Sequence, residues 1–499
     1  MFTKILIANR GEIAVRIMRT CREMGIATVA VFSEADRASL HVRYADEAFC
    51  IGPAPALESY LDGEAILAAA RRSGAQAIHP GYGFLAENSS FAGRCRQAGL
   101  VFIGPSPEVI GQMGNKSVAR QTMLASGVPV IPGANRALED LETVRRVCRE
   151  IGLPVMLKAA AGGGGKGMRI VTEENDLQDA FSAVRREAYA SFADSRILVE
   201  RYFPAARHIE VQILADSHGN VIHLFERECS IQRRYQKVIE ECPSVFVDEA
   251  LREKLTAAAV RAARAVGYSG AGTVEFLVDE AKNFYFLEMN TRLQVEHPVT
   301  ELVTGIDLVR EQLLAAAGER LRIAQPEVSR HGCAMECRIY AEDTGNDYMP
   351  APGVIRKAVF PEGPGVRVDS GVYEGWEVSL HYDPLIAKIS VLAGNREEAR
   401  RRMLRALDEC LVYGVKTNLD LQRAILTDEA FISGSIDTRF LDRHLAGRQP
   451  APDNLADLAI IASVCSTLSS SPGREERPAT AETGLWRMAS KYQFWATRF

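Results

Sequence analysis

The chain contains 499 residues, of which 47% are hydrophobic and 25% charged, a composition typical of a globular protein with several domains. Its formal net charge of -5 argues against a protein that holds the nucleic-acid backbone with an overall positive field. The 10 cysteines lack the paired spacing of a zinc site, and no apolar run reaches the ~18 residues that span a membrane. We therefore expect a cytoplasmic protein with reduced cysteines and with neither a nucleic acid nor a membrane as partner.

The first part of the chain alternates predicted strands and helices. Strands are predicted at residues 5–8, 28–32, 75–79 and 100–103. After the first strand, a predicted helix at residues 12–24 places Ile13, Ile17 and Cys21 on one face. This alternation indicates a doubly wound parallel sheet, which is expected to end near residue 130, where a Pro-Val-Ile-Pro-Gly stretch interrupts the pattern.

A glycine-rich loop flanked by lysines follows. Lys158 lies in a short predicted strand, and residues 162–167 read Gly-Gly-Gly-Gly-Lys-Gly. Glycine backbone can approach phosphate oxygens closely and direct N–H groups at them. The loop is not a Walker A motif, because Met168 stands where that motif requires serine or threonine. A plain linker is the alternative, but the flanking lysines and strands favour a lid over phosphates.

Two candidate metal ligands lie in neighbouring predicted strands. Glu275 belongs to an apolar run at residues 272–278, and Glu288 follows a second apolar run at residues 283–287. The residues between the runs are typical of a turn, so a hairpin would set Glu275 beside Glu288. Mg²⁺ prefers oxygen ligands and usually contacts substrate phosphates as well. Solvated charges at a sheet edge are the alternative, but acids inside apolar strands seldom lack a function.

Further polar side chains follow Glu288 at alternate positions. In a strand every second side chain shares a face, so Glu288, Asn290 and Arg292 are expected on one side. Gln294 and Glu296 continue this spacing if the chain stays extended. Oxygen ligands, a planar cation, an amide and a further carboxylate predict a site for Mg²⁺ and an oxyanion.

Six segments resemble the motifs of one enzyme family and occur in that family's order. The segments are residues 4–16, 79–88, 162–167, 228–237, 288–301 and 336–339. Together they resemble the biotin carboxylases of the ATP-grasp superfamily, over residues 1–446. The resemblance implies an α/β and α+β fold with an N-terminal Rossmann-like domain, an ATP-grasp lid, an ATP-grasp core with a C-terminal domain, and a flexible linker with an aromatic tail. The expected boundaries are 1–130, 131–203, 204–446 and 447–499.

The resemblance also implies an activity, which is the carboxylation of biotin with ATP and bicarbonate through carboxyphosphate. The sequence has no Met-Lys-Met attachment motif and no carboxyltransferase domain, so biotin is expected on a separate biotin carboxyl carrier protein. The expected partners are that carrier, carboxyltransferase subunits and a second copy of the chain. The resemblance extends to the stand-alone biotin carboxylase subunits of acetyl-CoA carboxylase and of two-subunit pyruvate carboxylases, and the final carboxyl acceptor stays open.

The resemblance indicates which residues bind ATP and the metal. Lys116 and Lys158 would hold the ATP phosphates, and Mg²⁺ or Mn²⁺ would bind at the carboxylates. The remaining ATP-binding candidates are Gly163, Gly164, Gly165, Glu200, Arg201, Phe203, His208, Gln232 and Leu277. The metal-binding candidates are Glu275, Glu288 and Asn290. A structural histidine is the alternative for His208.

Bicarbonate is expected next to these ligands. It would bind Arg292, Gln294 and the backbone N–H of Val295, because an arginine fork suits a planar oxyanion. Glu296 would be the general base, although Arg292 would lower its pKa and desolvation would raise it. His297 is the alternative base, on the opposite face of an extended chain.

The other catalytic candidates concern the phosphoryl group and biotin. Lys237 would stabilise the transferred phosphoryl group, and Arg338 would stabilise the biotin enolate. Tyr82 and Gly83 would border the biotin pocket. A surface lysine is the alternative for Lys237, and a structural ion pair is the alternative for Arg338. The candidate partners in that ion pair are Glu336 and Glu342.

The sequence departs from the family pattern at two positions. Tyr235 stands where many members carry histidine, and it cannot titrate near neutral pH as histidine does. Tyr340 replaces a common asparagine. Arg19 and Glu23 resemble residues at the family's dimer contact, and an ion pair within one helix is the alternative for them.

Two other classes of function compete with this interpretation. Another ATP-grasp ligase, such as a carbamoyl-phosphate synthetase-like or purine-pathway enzyme, would share the metal acids and the lid. Such an enzyme is not expected to carry the segment at residues 294–301. A scaffold with a decayed site is the other alternative, but every candidate ligand retains a competent side chain.

Overall fold

Five parallel strands form the first sheet of the computed structural model, which describes residues 1–134, 136–160, 168–192 and 194–444. The elements of this part are β1 (Lys4–Ile7), α1 (Gly11–Glu23), β2 (Ala27–Ser33), α2 (Leu40–Tyr44), β3 (Glu47–Gly52), α3 (Gly63–Ser73), β4 (Ala77–His79), α4 (Ser89–Gln97), β5 (Val101–Phe102), α5 (Pro107–Gly114) and α6 (Lys116–Ala125). The strand order β3-β2-β1-β4-β5 reverses direction at β1, which confirms the doubly wound parallel sheet. Ile13, Ile17 and Cys21 of α1 are buried, as their helical spacing predicts.

A separate small sheet follows. Its elements are α7 (Leu141–Ile151), β6 (Val155–Ala159), β7 (Met168–Val171), α8 (Leu177–Phe192) and β8 (Ile197–Arg201). The antiparallel order β7-β6-β8 places the strand that carries Lys158 in the middle. This sheet has its own apolar core, to which Val144, Leu157, Phe181 and Val199 contribute.

The third and largest sheet has eight strands. The elements up to β14 are β9 (Arg207–Ala215), β10 (Val221–Arg233), β11 (Gln236–Cys242), α9 (Glu249–Ala265), β12 (Gly270–Val278), β13 (Phe284–Asn290), α10 (His297–Thr304), α11 (Leu308–Ala316) and β14 (Cys333–Tyr340). Short strands follow as β15 (Glu342–Asp343), β16 (Met349–Pro350), β17 (Gly353–Val354) and β18 (Lys357–Val359). The remaining elements are β19 (Val366–Ser370), β20 (Glu377–Val378), β21 (Leu385–Ala393), α12 (Arg396–Glu409), β22 (Leu411–Tyr413), α13 (Leu419–Thr427), α14 (Glu429–Ile432) and α15 (Phe440–His444). The strand order of the large sheet is β13-β12-β9-β10-β11-β14-β21-β19.

The eight-stranded sheet decides which segments meet at the site. Its antiparallel pairing sets β11, which carries Lys237, directly beside β14, which carries Arg338. These two residues are about one hundred positions apart in the chain, so sequence order alone did not predict that they lie on adjacent strands. The combination of a parallel five-stranded sheet with antiparallel sheets of three and eight strands confirms the α/β and α+β class.

None of the described helices is long and apolar enough to cross a membrane. The tail expected at residues 447–499 lies outside the described residues.

Candidate active site

The predicted hairpin is present and brings two acidic candidates together. Glu275 of β12 and Glu288 of β13 face each other across the antiparallel pair, and Thr273 is the partner of Asn290. Glu288 reaches the solvent of the cleft, yet the surrounding protein and the charge of Glu275 raise its pKa. A divalent cation at these carboxylates would offset their repulsion, so the pair fits the Mg²⁺ ligands expected from the sequence.

Glu275 contacts four side chains of the site. Its Oε1 accepts hydrogen bonds from Lys237 Nζ at 3.0 Å, Asn290 Nδ2 at 2.8 Å and Gln294 Nε2 at 2.9 Å. Its Oε2 lies 2.8 Å from Nε2 of His208. Burial would raise the pKa of Glu275, but Lys237 and His208 lower it below its usual value. Glu275 is therefore an ionised carboxylate that joins β12 to the bicarbonate candidates.

The chain does not stay extended after Asn290, so the alternation expected for residues 290–296 is wrong. Strand β13 ends at Asn290, the chain turns, and α10 begins at His297 with Pro298 in its first turn. His297 is fully buried, and its Nδ1 lies 2.8 Å from the carbonyl oxygen of Gln294. The turn, and not strand geometry, directs His297 away from the cleft.

Glu296 lies between two cations. Its Oε1 is 2.6 Å from Lys237 Nζ, and its Oε2 is 2.8 Å from Arg338 Nη2. Burial would raise the pKa of Glu296, but Lys237, Arg338 and Arg227 lower it well below its usual value. The sequence left open whether desolvation or a nearby cation decides the pKa of Glu296, and the cations do. The nearest cations are Lys237 and Arg338, not Arg292.

Arg292 is held by three side chains. Its Nε donates to Glu87 Oε2 at 2.9 Å, its Nη1 to Gln294 Oε1 at 3.0 Å, and its Nη2 to Asn290 Oδ1 at 3.1 Å. Burial would lower the pKa of Arg292, but Glu87 raises it above its usual value. The guanidinium is thus charged and oriented next to Glu275, as an oxyanion site requires.

Arg338 bridges two buried carboxylates. Its Nε donates to Glu240 Oε1 at 2.6 Å, and its Nη2 donates to Glu296. The alternative partners weighed from the sequence, Glu336 and Glu342, bond to Ser390 and Arg233 instead. Arg338 is therefore directed at the proposed base.

Each candidate phosphate-binding lysine interacts with a carboxylate. Asn115 caps α6 by accepting from backbone N–H groups, so the helix begins at Lys116. Burial lowers the pKa of Lys116, and the charge of Glu288 opposes this shift. Lys158 Nζ lies 2.6 Å from Glu200 Oε2 on the adjacent strand. The other members of the expected loop, Gly163, Gly164 and Gly165, lie outside the described residues.

The remaining nucleotide candidates form two groups. Arg201 ends β8, and its guanidinium lies 5.9 Å from the ring centroid of Phe203, which stacks on an aromatic ring of β13. Leu277 is paired with His208 across β12 and β9. Gln232 Nε2 lies 2.9 Å from Nδ1 of His208. Because His208 also contacts Glu275, it connects the second group to the metal candidates.

Tyr82 and Val295 are each held by a buried side chain. The Tyr82 hydroxyl donates a short hydrogen bond to Glu12, and burial raises the pKa of this phenol. The carbonyl oxygen of Val295 accepts a hydrogen bond of 2.6 Å from Lys388 Nζ. Gly83, next to Tyr82, has a φ of 68° and is exposed.

The two departures from the family pattern occupy different places. Tyr235 lies in the tight turn between β10 and β11 with a φ of 66°, and 56% of it is exposed. Tyr340 ends β14, is largely buried, and its phenol interacts with Arg338. Tyr340 therefore contacts a candidate catalytic residue, which the sequence did not indicate.

Sequence reasoning missed several residues that surround the cleft. Arg227 is fully buried, and its Nε donates to Glu210, whose other oxygen lies 2.5 Å from Lys237 Nζ. A signal was present, because His208, Glu210 and Gln212 alternate with apolar residues in β9. The other missed residues are Glu12, Glu87, Glu240 and Lys388.

Arg19 and Glu23 do not form the ion pair considered as an alternative. Arg19 Nη1 lies 3.7 Å from Asp369 Oδ1, and Glu23 is exposed. Among the described residues, no ion pair joins Arg19 to Glu23.

Three family models match the chain. They are the biotin carboxylase N-terminal domain at residues 1–110, the carbamoyl-phosphate synthase L chain ATP-binding domain at residues 115–324, and the biotin carboxylase C-terminal domain at residues 336–443. Together they cover most of the described residues.

Similar proteins include a biotin carboxylase from Halalkalibacterium halodurans, which is 54% identical over 90% of this chain and 100% of its own. A pyruvate carboxylase subunit from Methanothermobacter thermautotrophicus is 51% identical over 90% of this chain and 91% of its own. The biotin carboxylase domain dimer of Hydrogenobacter thermophilus 2-oxoglutarate carboxylase, solved with MgADP, ADP and bicarbonate, matches with a TM-score of 0.87. It is 47% identical over 89% of this chain and 98% of its own. The chain therefore belongs to the biotin carboxylase family of ATP-grasp ligases.

Proposed function

We propose that this chain carboxylates biotin on a separate carrier protein, with ATP and bicarbonate as co-substrates. The observation that carries the proposal is the contact of Glu296 with both Lys237 and Arg338, at 2.6 and 2.8 Å, beside the acidic pair of the hairpin. One cleft thus holds a carboxylate base, two cations and a set of metal ligands. Family membership and the MgADP and bicarbonate of the Hydrogenobacter relative support the same assignment.

The nucleotide side of the reaction is assigned to lysines and acids. Lys116 and Lys158 bind the phosphates, and Glu200 orients Lys158 through their 2.6 Å contact. Glu275 and Glu288, with Asn290 beside them, would hold Mg²⁺ or Mn²⁺. The bound cation would neutralise charge on the phosphate oxygens during transfer. Arg201, Phe203, His208, Gln232 and Leu277 are assigned to adenine and ribose.

Bicarbonate is assigned to Arg292, Gln294 and the backbone of Val295, with Glu296 as its base. The lowered pKa of Glu296 keeps it ionised but makes it a weak base. Proton removal must therefore accompany attack of the bicarbonate oxygen on phosphorus. Lys237 contacts three carboxylates, remains charged, and would stabilise the transferred phosphoryl group.

Biotin is assigned to the side of the cleft that contains Arg338, Tyr82 and Gly83. Carboxyphosphate would break into CO₂ and phosphate, and phosphate would take the proton from biotin N1. Arg338 would then stabilise the enolate that attacks CO₂. The interaction of Tyr340 with Arg338 would help to orient that guanidinium.

We also propose the division into residues 1–130, 131–203, 204–446 and 447–499, a homodimer, and a cytoplasmic location. The dimer of the Hydrogenobacter relative supports the second of these. The proposed partners are a biotin carboxyl carrier protein and carboxyltransferase subunits. Acetyl-CoA, pyruvate and 2-oxoglutarate are the acceptors to test with candidate transferases.

The test is ATP hydrolysis with Mg²⁺, measured with and without bicarbonate and free biotin. We expect hydrolysis to require bicarbonate and to increase with biotin. Turnover that biotin does not stimulate would favour another ATP-grasp ligase. Absence of turnover would favour a scaffold with a decayed site.

A further inference from the structure

Lys388 is a buried cation inside the eight-stranded sheet. It lies in β21, directly opposite Arg338 on one neighbouring strand and Asp369 on the other. Its exposed fraction is 0%. Like charges placed directly opposite each other weaken an antiparallel pair, and a buried ammonium is costly unless it is paired. Arg338 opposes the charge of Lys388 and Asp369 favours it, so the other polar contacts of the ammonium are needed to explain its burial.

The contacts of Lys388 lead to two predicted substrate-binding residues. Its Nζ donates to the carbonyl oxygen of Val295 at 2.6 Å and lies 3.2 Å from Glu12 Oε1. The same oxygen of Glu12 accepts the hydrogen bond from the hydroxyl of Tyr82. Glu12 is 5% exposed, so both charges of the pair are withdrawn from water. One ion pair thus connects Val295, the bicarbonate candidate, to Tyr82, the biotin candidate.

We propose that Lys388 and Glu12 are positioning residues that hold Val295 and Tyr82 at a fixed distance and orientation relative to each other. Three segments that are distant in sequence meet at this pair, namely α1, β21 and the turn before α10. The backbone that follows β19 also approaches α1 closely, since a Cβ on Gly371 would lie 2.6 Å from the backbone nitrogen of Glu12. The inference rests on the proposed function, which assigns bicarbonate to Val295 and biotin to Tyr82.

A second buried ion pair provides a matched comparison. Arg252 Nη2 lies 2.8 Å from Glu226 Oε1, with side-chain exposures of 6% and 0%. This pair joins α9 to β10, and Arg252 also donates to the carbonyl oxygen of Val247. Glu226 precedes Arg227 in β10, so it points to the sheet face opposite the cleft. Removal of either pair takes two buried charges out of the protein, but only one pair contacts Val295 and Tyr82.

The experiment compares Lys388→Met/Glu12→Gln with Arg252→Met/Glu226→Gln. The double changes remove both charges of each pair, so neither variant leaves a buried charge without its partner, which would destabilise the fold. We expect the first variant to speed backbone hydrogen exchange at residues 81–83 and 293–296, and the control to leave both segments unchanged. We also expect KM for bicarbonate and for biotin to rise by roughly tenfold, as the loss of a charge-assisted hydrogen bond implies, with KM for ATP within about twofold.

A folded Lys388→Met/Glu12→Gln protein with unchanged exchange in both segments would overturn the proposal, as would an equal rise in KM for all three substrates. If that variant does not fold, Tyr82→Phe cuts the contact with Glu12 and leaves the ion pair in place. Faster exchange at residues 81–83 in Tyr82→Phe would then support the proposal, and unchanged exchange would refute it. Hydrogen exchange needs no turnover, so it decides this inference even if wild-type protein shows no bicarbonate-dependent ATP hydrolysis and the proposed function fails.

Discussion

Glu296 Oε1 lies 2.6 Å from Lys237 Nζ, so the proposed base and the proposed phosphoryl-stabilising cation form one buried ion pair. Both groups stay charged, because the charge of each raises or lowers the pKa of the other in favour of the ionised form. Bicarbonate must therefore bind beside two groups that already contact each other. The reaction therefore depends on how Glu296 and Lys237 divide their hydrogen bonds between each other and bicarbonate.

Glu296→Gln should lower bicarbonate-dependent ATP hydrolysis by about 10²–10⁴-fold while ATP binds with unchanged affinity. Glutamine has the same shape but cannot accept the proton. Steady-state turnover and calorimetric ATP binding measure the two effects. Glu253→Gln, an exposed change on α9, is the control. Turnover near the wild-type rate would remove Glu296 from its role.

Glu87→Gln should raise KM for bicarbonate by roughly tenfold, because Arg292 loses a charged acceptor. Glu87 Oε2 lies 2.9 Å from Arg292 Nε, and Oε1 accepts from the backbone of Thr291 at 3.1 Å. KM for ATP should change little. Glu64→Gln, which weakens the exposed pair with Arg94, controls for a lost carboxylate–arginine contact. An unchanged KM for bicarbonate would show that Glu87 does not orient Arg292.

Glu288→Gln should raise the Tm of the metal-free protein and abolish its stabilisation by Mg²⁺. The charge of Glu275 contributes to the raised pKa of Glu288, so removal of one charge relieves repulsion in the absence of a cation. Thermal unfolding with and without Mg²⁺ measures both effects. Glu280→Gln, an exposed change in the turn of the same hairpin, should alter neither. Equal stabilisation of Glu288→Gln and wild type by Mg²⁺ would exclude Glu288 as a ligand.

Stability should fall as pH rises through neutrality, and Glu336→Gln should reduce this dependence. Glu336 lies opposite Glu240, and burial raises the pKa of Glu336 to about 8 and that of Glu240 to about 7. The folded protein thus retains protons that the unfolded chain releases near pH 4.5, so the stabilising effect present below that pH is lost by about pH 8. Each group contributes a slope of up to about 1.4 kcal/mol per pH unit.

Unfolding free energies at several pH values between 6.5 and 8 measure this slope, because buried histidines with lowered pKa values contribute the opposite slope only below that range. The exposed change Glu362→Gln is the control and should keep the wild-type dependence. If Glu336→Gln has the same slope as wild type, Glu336 does not hold a proton in the folded protein.

Local pattern was sufficient for the hairpin and for four of the five strands of the first sheet, but it did not predict β3. Glu275 and Glu288 lie on strands joined by a short turn, so their pairing depends on residues that are close in sequence. The family motifs then indicated Glu296, Lys237, Arg292 and Arg338 together. The extended chain predicted for residues 290–296 is wrong, because a turn connects the end of β13 to the start of α10 and sets the direction of Glu296.

The sequence by itself determined which side chains are available, since residue types, strand alternation and motif order are properties of the chain. Only the tertiary structure decided their partners. Lys237 contacts Glu210, Glu275 and Glu296 because β9, β11 and β12 belong to one sheet and the turn before α10 brings Glu296 to it. Lys388 reaches Val295 and Glu12 across still larger distances in sequence. Long-range strand pairing and burial set these contacts and the resulting pKa shifts, and neither is encoded in any local segment.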